Sequence, residues 1–135
     1  MKDRRAEPES VDGRRAKTPP GFECWGVYSR DCATRRTLAR VADKWTILIV
    51  GRLMQRPCRF GELKRSIEGL SSKVLTDHLR ALEADGLLTR TVTPTSPPAV
   101  TYALTSLGAE LGQIALALKD WAEIHAARMP ESASR

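Results

Sequence analysis

Residues 70 to 88 read LSSKVLTDHLRALEADGLL, and within them Leu75, Leu79 and Leu82 recur at the i, i+4, i+7 spacing of a helix that turns one stripe toward a core. The opposite face of the same helix carries Lys73, Thr76, Asp77, Arg80 and Ala81, with the hydroxyls of Ser71 and Ser72 at its start. Packing requires the first face and not the second. Taken alone, the polar face suits a solvated surface helix as well as one that reads the edge of a polar partner, so the flanking elements must decide.

Upstream, Asp31 can cap a helix running through Leu38 to Ala42, and Lys44 to about Gln55 forms a second helix with Trp45, Leu48, Ile49 and Leu53 inward. TILIV at 46–50 is β-branched and suits a buried strand equally on propensity, and five residues are too few for periodicity to choose. Phe60, Leu63 and Ile67 mark a short amphipathic helix, with Gly69 placed to end it in a left-handed conformation. A few residues then reach the opening stretch. Two helices joined by so short a turn, the second with a polar outer face, form a helix-turn-helix, in which the second helix lies in the DNA major groove.

After Gly86 the period changes to two: Leu88, Arg90 and Val92 alternate with Thr89, Thr91 and Thr93, and Val100, Tyr102 and Leu104 alternate after PTSPPA. This predicts a β-hairpin whose Pro94, Pro97 and Pro98 interrupt pairing and stiffen an exposed tip, as a wing requires. From Thr105, a candidate N-cap, Leu107, Leu111, Ile114, Leu118 and Trp121 recur at steps of 4, 3, 4 and 3, a seam that serves either as intramolecular core or as a dimer contact. Because the other helices have short stripes that cover one another, the seam is expected to dimerise, with Leu111, Ile114, Leu118 and Trp121 at its centre. The expected fold class is mainly α with a small β-hairpin wing (α+β): a winged helix-turn-helix, dimeric through terminal helices.

Composition narrows the partner. The 135 residues suit one domain with tails, and 22 Lys and Arg against 16 Asp and Glu leave a net charge of +6, which favours a polyanion: nucleic acid or an acidic membrane surface. No unbroken apolar run, Ile47 to Val50 included, approaches the length of a membrane span, and the first residues carry charges where a signal peptide has an apolar core, so a cytoplasmic protein without membrane association is expected. Residues 1–21, with six cations and little to bury, are expected to be a flexible basic arm, 22–127 the folded domain and 128–135 a flexible tail. Cys24, Cys32 and Cys58 form no CxxC pair, which gives no ground for a disulfide framework, a zinc site or any other metal or cofactor.

Taken in order, Cys32, LARVADKWTILIVGRL (38–53), RFGELKRSIEGLSSKVLTDHLRALEADGLLTRTV (59–92), the return strand of the hairpin and LTSLG (104–108) resemble the HxlR-type winged helix-turn-helix transcriptional regulators of bacteria, within the MarR-like superfamily. The resemblance spans about Cys32 to Trp121, with the KW, RFxEL, SxKxLTxxLRxLExxGL and LTxxG elements all present in order. It implies a homodimer, a helix rather than a strand at Lys44 to Gln55, and a DNA-reading role for the polar face of the opening stretch. Where the family often has a basic residue near the return of the wing, this chain has Ala99, so wing contacts to phosphate or minor groove rest on Arg90, Thr95 and Ser96.

On that face, Lys73 and Arg80 can donate to phosphates or to guanine O6 and N7, and Ser71, Ser72 and Thr76 to phosphates or base edges. Asp77 would be repelled by phosphates; it either accepts from a cytosine amino group or, the favoured reading, pairs with Lys73 or Arg80 along the helix. His78, beside the apolar stripe and without metal-ligand companions, reads as a partly buried, satisfied residue. Cys32 follows Asp31 at a helix start, where backbone amides and Arg30, Arg35 and Arg36 favour thiolate while Asp31 opposes it. Members of the family use a cysteine at this position to sense quinones, aldehydes or oxidants, so Cys32 is either a redox or electrophile sensor, with Cys24 or Cys58 as conceivable partners, or a small packing residue. An enzyme with Cys32 or Cys58 as nucleophile is disfavoured, since there are only two histidines, no glycine-rich phosphate loop and no paired carboxylates. A winged domain for protein contacts alone would need neither the basic charge nor the polar face, and a regulator answering a small ligand rather than redox state is the remaining alternative.

Overall fold

Helix α1 (Ala33–Val41) is followed by α2 (Lys44–Leu53), strand β1 (Cys58–Arg59), α3 (Phe60–Ser66), α4 (Ser72–Ala84), the hairpin strands β2 (Leu88–Thr93) and β3 (Ala99–Leu104), and α5 (Ser106–His125), which ends in a 3-10 turn, Ala126–Arg128. This computed structural model describes residues 33–130; the expected cap Asp31, Cys24, Cys32 and the basic arm lie outside them. The chain divides into two units between Ala39 and Arg40. Helix α1 begins in the first and buries none of its residues. Everything below concerns the second.

The TILIV segment is helical. Asp43 caps α2, its Oδ1 accepting from the Trp45 amide at 3.0 Å, and Thr46, Ile49, Val50 and Leu53 are buried at i, i+3, i+4 and i+7. The expected inward residues Ile49 and Leu53 lie in that stripe, and Trp45 and Leu48 are half-buried against the same core. Burial of a continuous face outweighs the β preference of its branched residues.

Helices α3 and α4 fall where the pattern predicts them, with Leu63, Ile67, Leu70, Leu75, Leu79 and Leu82 in one core with Ile49, Val50 and Leu53. Gly69, at φ +86°, turns the chain between them, a conformation that costs a side-chain-bearing residue. At its other end α4 closes with Gly86 at φ +78°; the Gly86 amide donates to the Glu83 carbonyl at 3.0 Å and the Leu87 amide to the Leu82 carbonyl at 2.9 Å. This paired closure satisfies carbonyls that the helix end would leave open and aims the chain into β2.

The hairpin does not stand alone. The sheet has three antiparallel strands in the order β1, β3, β2, with Cys58 opposite Tyr102 and Tyr102 opposite Arg90. Two residues cannot show a period of two, so β1 leaves no pattern in the sequence. The Thr105 hydroxyl locks the base of the wing, donating to the Gly86 carbonyl at 2.7 Å and accepting from the Gly108 amide at 3.0 Å to cap α5. Gly108, Gly112 and Ala115 form the buried face of α5. A Cβ at Gly108 would lie 1.9 Å from the Leu87 carbonyl oxygen, and one at Gly112 would lie 2.3 Å from Met54 Sδ.

Candidate nucleic-acid interface

Helix α4 begins with a side-chain cap, Ser71 Oγ accepting from the Val74 amide at 3.1 Å, so the Ser71 hydroxyl is committed to the helix as well as exposed at its start. Beyond it Lys73, Asp77, Arg80 and Ala81 are exposed on the side away from Leu75, Leu79 and Leu82, Ser72 is exposed in the first turn, and Thr76 is half-buried at the edge of that face. Lys73 Nζ donates to Asp77 Oδ2 at 3.0 Å, one turn apart. The carboxylate is therefore neutralised along the helix, and Arg80 keeps a guanidinium with no ion pair among the described residues.

The inner edge of α4 is held by His78. Its Nδ1 lies 2.9 Å from the Val74 carbonyl and its Nε2 2.7 Å from Asp43 Oδ2, so both ring nitrogens face acceptors and the doubly protonated imidazolium satisfies both. Burial works against that charge, but the Asp43 carboxylate and the Val74 carbonyl outweigh it and hold the His78 pKa above its ordinary value. The hydrogen bond from His78 in turn lowers the Asp43 carboxyl, against the effect of burial and with help from the Trp45 amide. One carboxylate thus caps α2 with one oxygen and ties down α4 with the other.

The wing projects beside this face. On β2 only Leu88 is buried, and Arg90 is exposed. At the tip Thr95 and Ser96 are exposed, but the Thr95 hydroxyl donates to the Pro97 carbonyl at 2.8 Å and so stiffens the turn. Where α4 meets the sheet, Phe60, Thr76, Leu79, Arg80, Glu83, Arg90 and Tyr102 line a concavity of about 460 Å³. Thr76, Arg80 and Arg90, distant in sequence on a helix and a strand, thereby share one wall system. Sequence reasoning missed Tyr102 and Glu83; the strand register that puts Tyr102 opposite Arg90 was the signal available.

A helix-turn-helix followed by a hairpin is this geometry, and comparison with known proteins places it. Residues 40–130 match the model of the HxlR-like helix-turn-helix family. The chain belongs to the HxlR-like helix-turn-helix family. It is 39% identical over 99 residues to YtfH of Escherichia coli (strain K12), an uncharacterized HTH-type transcriptional regulator, covering 73% of this chain and 79% of that one. The solved structure of ytfH from Salmonella typhimurium superposes with a TM-score of 0.73 at 35% identity, covering 82% of this chain and 98% of that one. The redox regulator HypR in its oxidized form superposes with a TM-score of 0.64 at 36% identity over 68% of this chain and 95% of that one.

In this HxlR-like chain the long α5 has a second face. Leu107, Ile114, Leu118, Trp121 and Ile124 are about half exposed or more, at 52%, 65%, 48%, 50% and 71%. Leu111 departs from the expected seam: it is half-buried and packs against the core. The reason is geometric, since Leu111 lies between Gly108, Gly112 and Ala115, the face turned to α2. Cys58, a conceivable partner for Cys32 on sequence, is placed by the fold. It lies in β1, buried, with Sγ donating to the Arg56 carbonyl at 3.4 Å, and burial raises its pKa, so it is a neutral thiol of the core rather than a nucleophile. No helix of the described residues is long and apolar enough to cross a membrane.

Proposed function

We propose that the protein is a sequence-specific, DNA-binding transcriptional regulator that sits on a palindromic operator as a homodimer. The observation that carries this reading is the exposed face of α4, with Lys73 paired to Asp77 and Arg80 unpaired among the described residues, presented beside a wing on an HxlR-like helix-turn-helix. Arg80 and Thr76 read base edges in the major groove; Ser71, Ser72 and Lys73 hold phosphates, and Arg90, Thr95 and Ser96 follow the backbone along the wing. The exposed seam of Leu107, Ile114, Leu118 and Trp121 supports the dimer, since an apolar row of that length is costly to leave in water. The net charge of +6 supports a polyanion as partner.

Cys32 is the proposed switch: its modification by an oxidant or electrophile shifts the two DNA-binding units of the dimer and changes operator affinity. The likeness to the redox regulator HypR supports this reading. The first experiment selects binding sequences from a random DNA pool and measures affinity by fluorescence anisotropy; an inverted repeat with centres about 34–36 Å apart, one helical turn, is the expected outcome. Failure to bind any sequence above the non-specific level at low salt would overturn the assignment. Diamide is then expected to change the affinity of the wild type reversibly and not that of Cys32→Ser. Unchanged wild-type affinity with Cys32 shown modified by mass spectrometry would remove the switch.

A further inference from the structure

Two polar pairs tie α4 to the four residues that lead into α2. Arg40, in the last turn of α1 and already within the second unit, is ion-paired through Nη2 with Oδ1 of Asp85, the residue that closes α4. Asp43, three positions on, holds His78 through Oδ2. Between them the chain is itself tied, the Asp43 amide donating to the Val41 carbonyl at 2.9 Å. His78 and Asp85 are seven residues apart, which on a helix is about two turns, or about 10 Å along one edge. The two pairs therefore grip α4 at two points of the same line. Thr76 and Arg80 stand two residues to either side of His78, about 160° around the helix axis, so they point away from that line. Neither acid is explained by the helix it terminates. A carboxylate at a helix C-terminus meets the negative end of the helix dipole, so Asp85 is unfavourable without the Arg40 guanidinium. Capping α2 occupies one oxygen of Asp43, a task that asparagine performs as well, and the second oxygen faces His78.

We propose that residues 40–43 form a two-point clamp that fixes the rotation of α4, and that His78 is a positioning residue whose protonation tightens the clamp and sharpens base discrimination by Arg80 and Thr76. The discrimination, though not the clamp, rests on the reading of α4 as the DNA-reading helix. Leu75, Leu79 and Leu82 keep α4 on the core, but apolar burial has no direction and tolerates a small rotation. Hydrogen bonds do have one, and a recognition face must be held to within about 10–20°. The charges acting on His78 are the carboxylates of Asp43, from the cap of α2, and of Asp77, from α4 itself; Lys44, next to the cap, acts on Asp43. Both ring nitrogens face acceptors, so loss of one proton leaves either the Val74 carbonyl or Asp43 Oδ2 against a bare lone pair. The Asp43 link therefore loosens as pH rises. Because Asp43 and the Val74 carbonyl hold the imidazolium above its ordinary range, the loosening falls above pH 6.5.

The test measures the affinity of the full-length protein for a selected DNA sequence and for an unrelated one, by anisotropy between pH 6 and 8 and well below the melting temperature. In the wild type the ratio of the two affinities is expected to fall about three- to fivefold from pH 6 to pH 8, as suits residues that act on a site through others. Asp43→Asn, which keeps the cap, and His78→Gln should show the lowered ratio already at pH 6 and no further fall. Asp85→Asn, which opens the other end of the clamp, should lower the ratio at pH 6 and leave its pH dependence in place. Lost stability, or a changed charge at position 78, would move both affinities together and not their ratio. A wild-type ratio that ignores pH, or an Asp43→Asn ratio that falls like the wild type's, overturns the positioning role. Residual dipolar couplings of the α4 amides, which report orientation, test the clamp without DNA: they should change with pH in the wild type and not in Asp43→Asn. Couplings that stay constant in the wild type overturn the clamp. Couplings that change in a protein with no preference for any DNA sequence would keep the clamp and reject the DNA reading instead.

Discussion

At the scale of single residues, the two cations of α4 are not equivalent. Lys73 is already partnered by Asp77 at 3.0 Å, while Arg80 carries a planar fork of donors and no ion pair among the described residues. Arg80→Ala is therefore expected to cost about 1–3 kcal/mol on the selected sequence and to relax preference at one base position, whereas Lys73→Ala should weaken all sequences alike and lower the salt slope by about one. Anisotropy titrations over a salt series separate the two, and unchanged affinity and slope in both variants would take α4 out of the interface. A second residue-scale prediction concerns Asp43 and His78. His78 has a raised pKa, so its contribution is complete below the ordinary imidazole value of 6.5 and is lost as pH rises through the folded value. Asp43 has a lowered pKa, so its contribution is complete above the ordinary carboxyl value of 3.8 and is lost as pH falls through the folded value. The link is strongest between those limits. Both side chains keep some contact with water, so the effect is about 1 kcal/mol or less; thermal melts should show the wild type losing its advantage over His78→Gln as pH rises from 6 to 8, and a constant difference would remove the charged pair.

At the scale of elements, the junction of α4, the wing and α5 depends on backbone proximity more than on side-chain volume. Gly108 meets the Leu87 carbonyl, a rigid backbone group that also accepts from the Thr105 amide at 3.1 Å. Gly112 meets the Met54 thioether, the far end of a flexible side chain. Gly108→Ala is accordingly expected to destabilise by about 1–3 kcal/mol or more. Gly112→Ala should cost less, because Met54 can move and alanine gains up to about 1 kcal/mol in helix propensity. Urea unfolding of the two variants gives the order directly, and a Gly112→Ala loss larger than that of Gly108→Ala would contradict this account of the wing base.

At the scale of the whole molecule, the proposed dimer turns on α5. Its inner face packs on α2 through small residues, and this leaves Ile114 at 65%, Leu118 at 48% and Trp121 at 50% exposure on the outer face. Ile114→Asp combined with Leu118→Asp is therefore expected to give a folded monomer by sedimentation velocity and to lose operator binding, while Leu111→Asp should damage the core as well. A double variant that stayed dimeric would place the interface elsewhere.

Much of this was legible in the chain, because it depends on local rules. The helices of the helix-turn-helix, the caps Ser71 and Thr105, the left-handed Gly69 and the alternation of the hairpin each follow from the spacing of a few neighbouring residues. The Lys73 and Asp77 pair was legible too, since it spans one helical turn. What sequence left open is what distant segments decide together. TILIV became helix because one of its faces had a core to join, and two residues at Cys58 became a strand because β3 offered an edge. Leu111 turned inward because Gly108 and Gly112 brought α5 against its neighbours, and Asp43, the cap of α2, found His78 thirty-five positions away. The meeting of Tyr102, Arg80 and Arg90 in one concavity likewise depends on the packing of α4 against the sheet. Periodicity states which face of an element is apolar; only the packed structure states what that face meets.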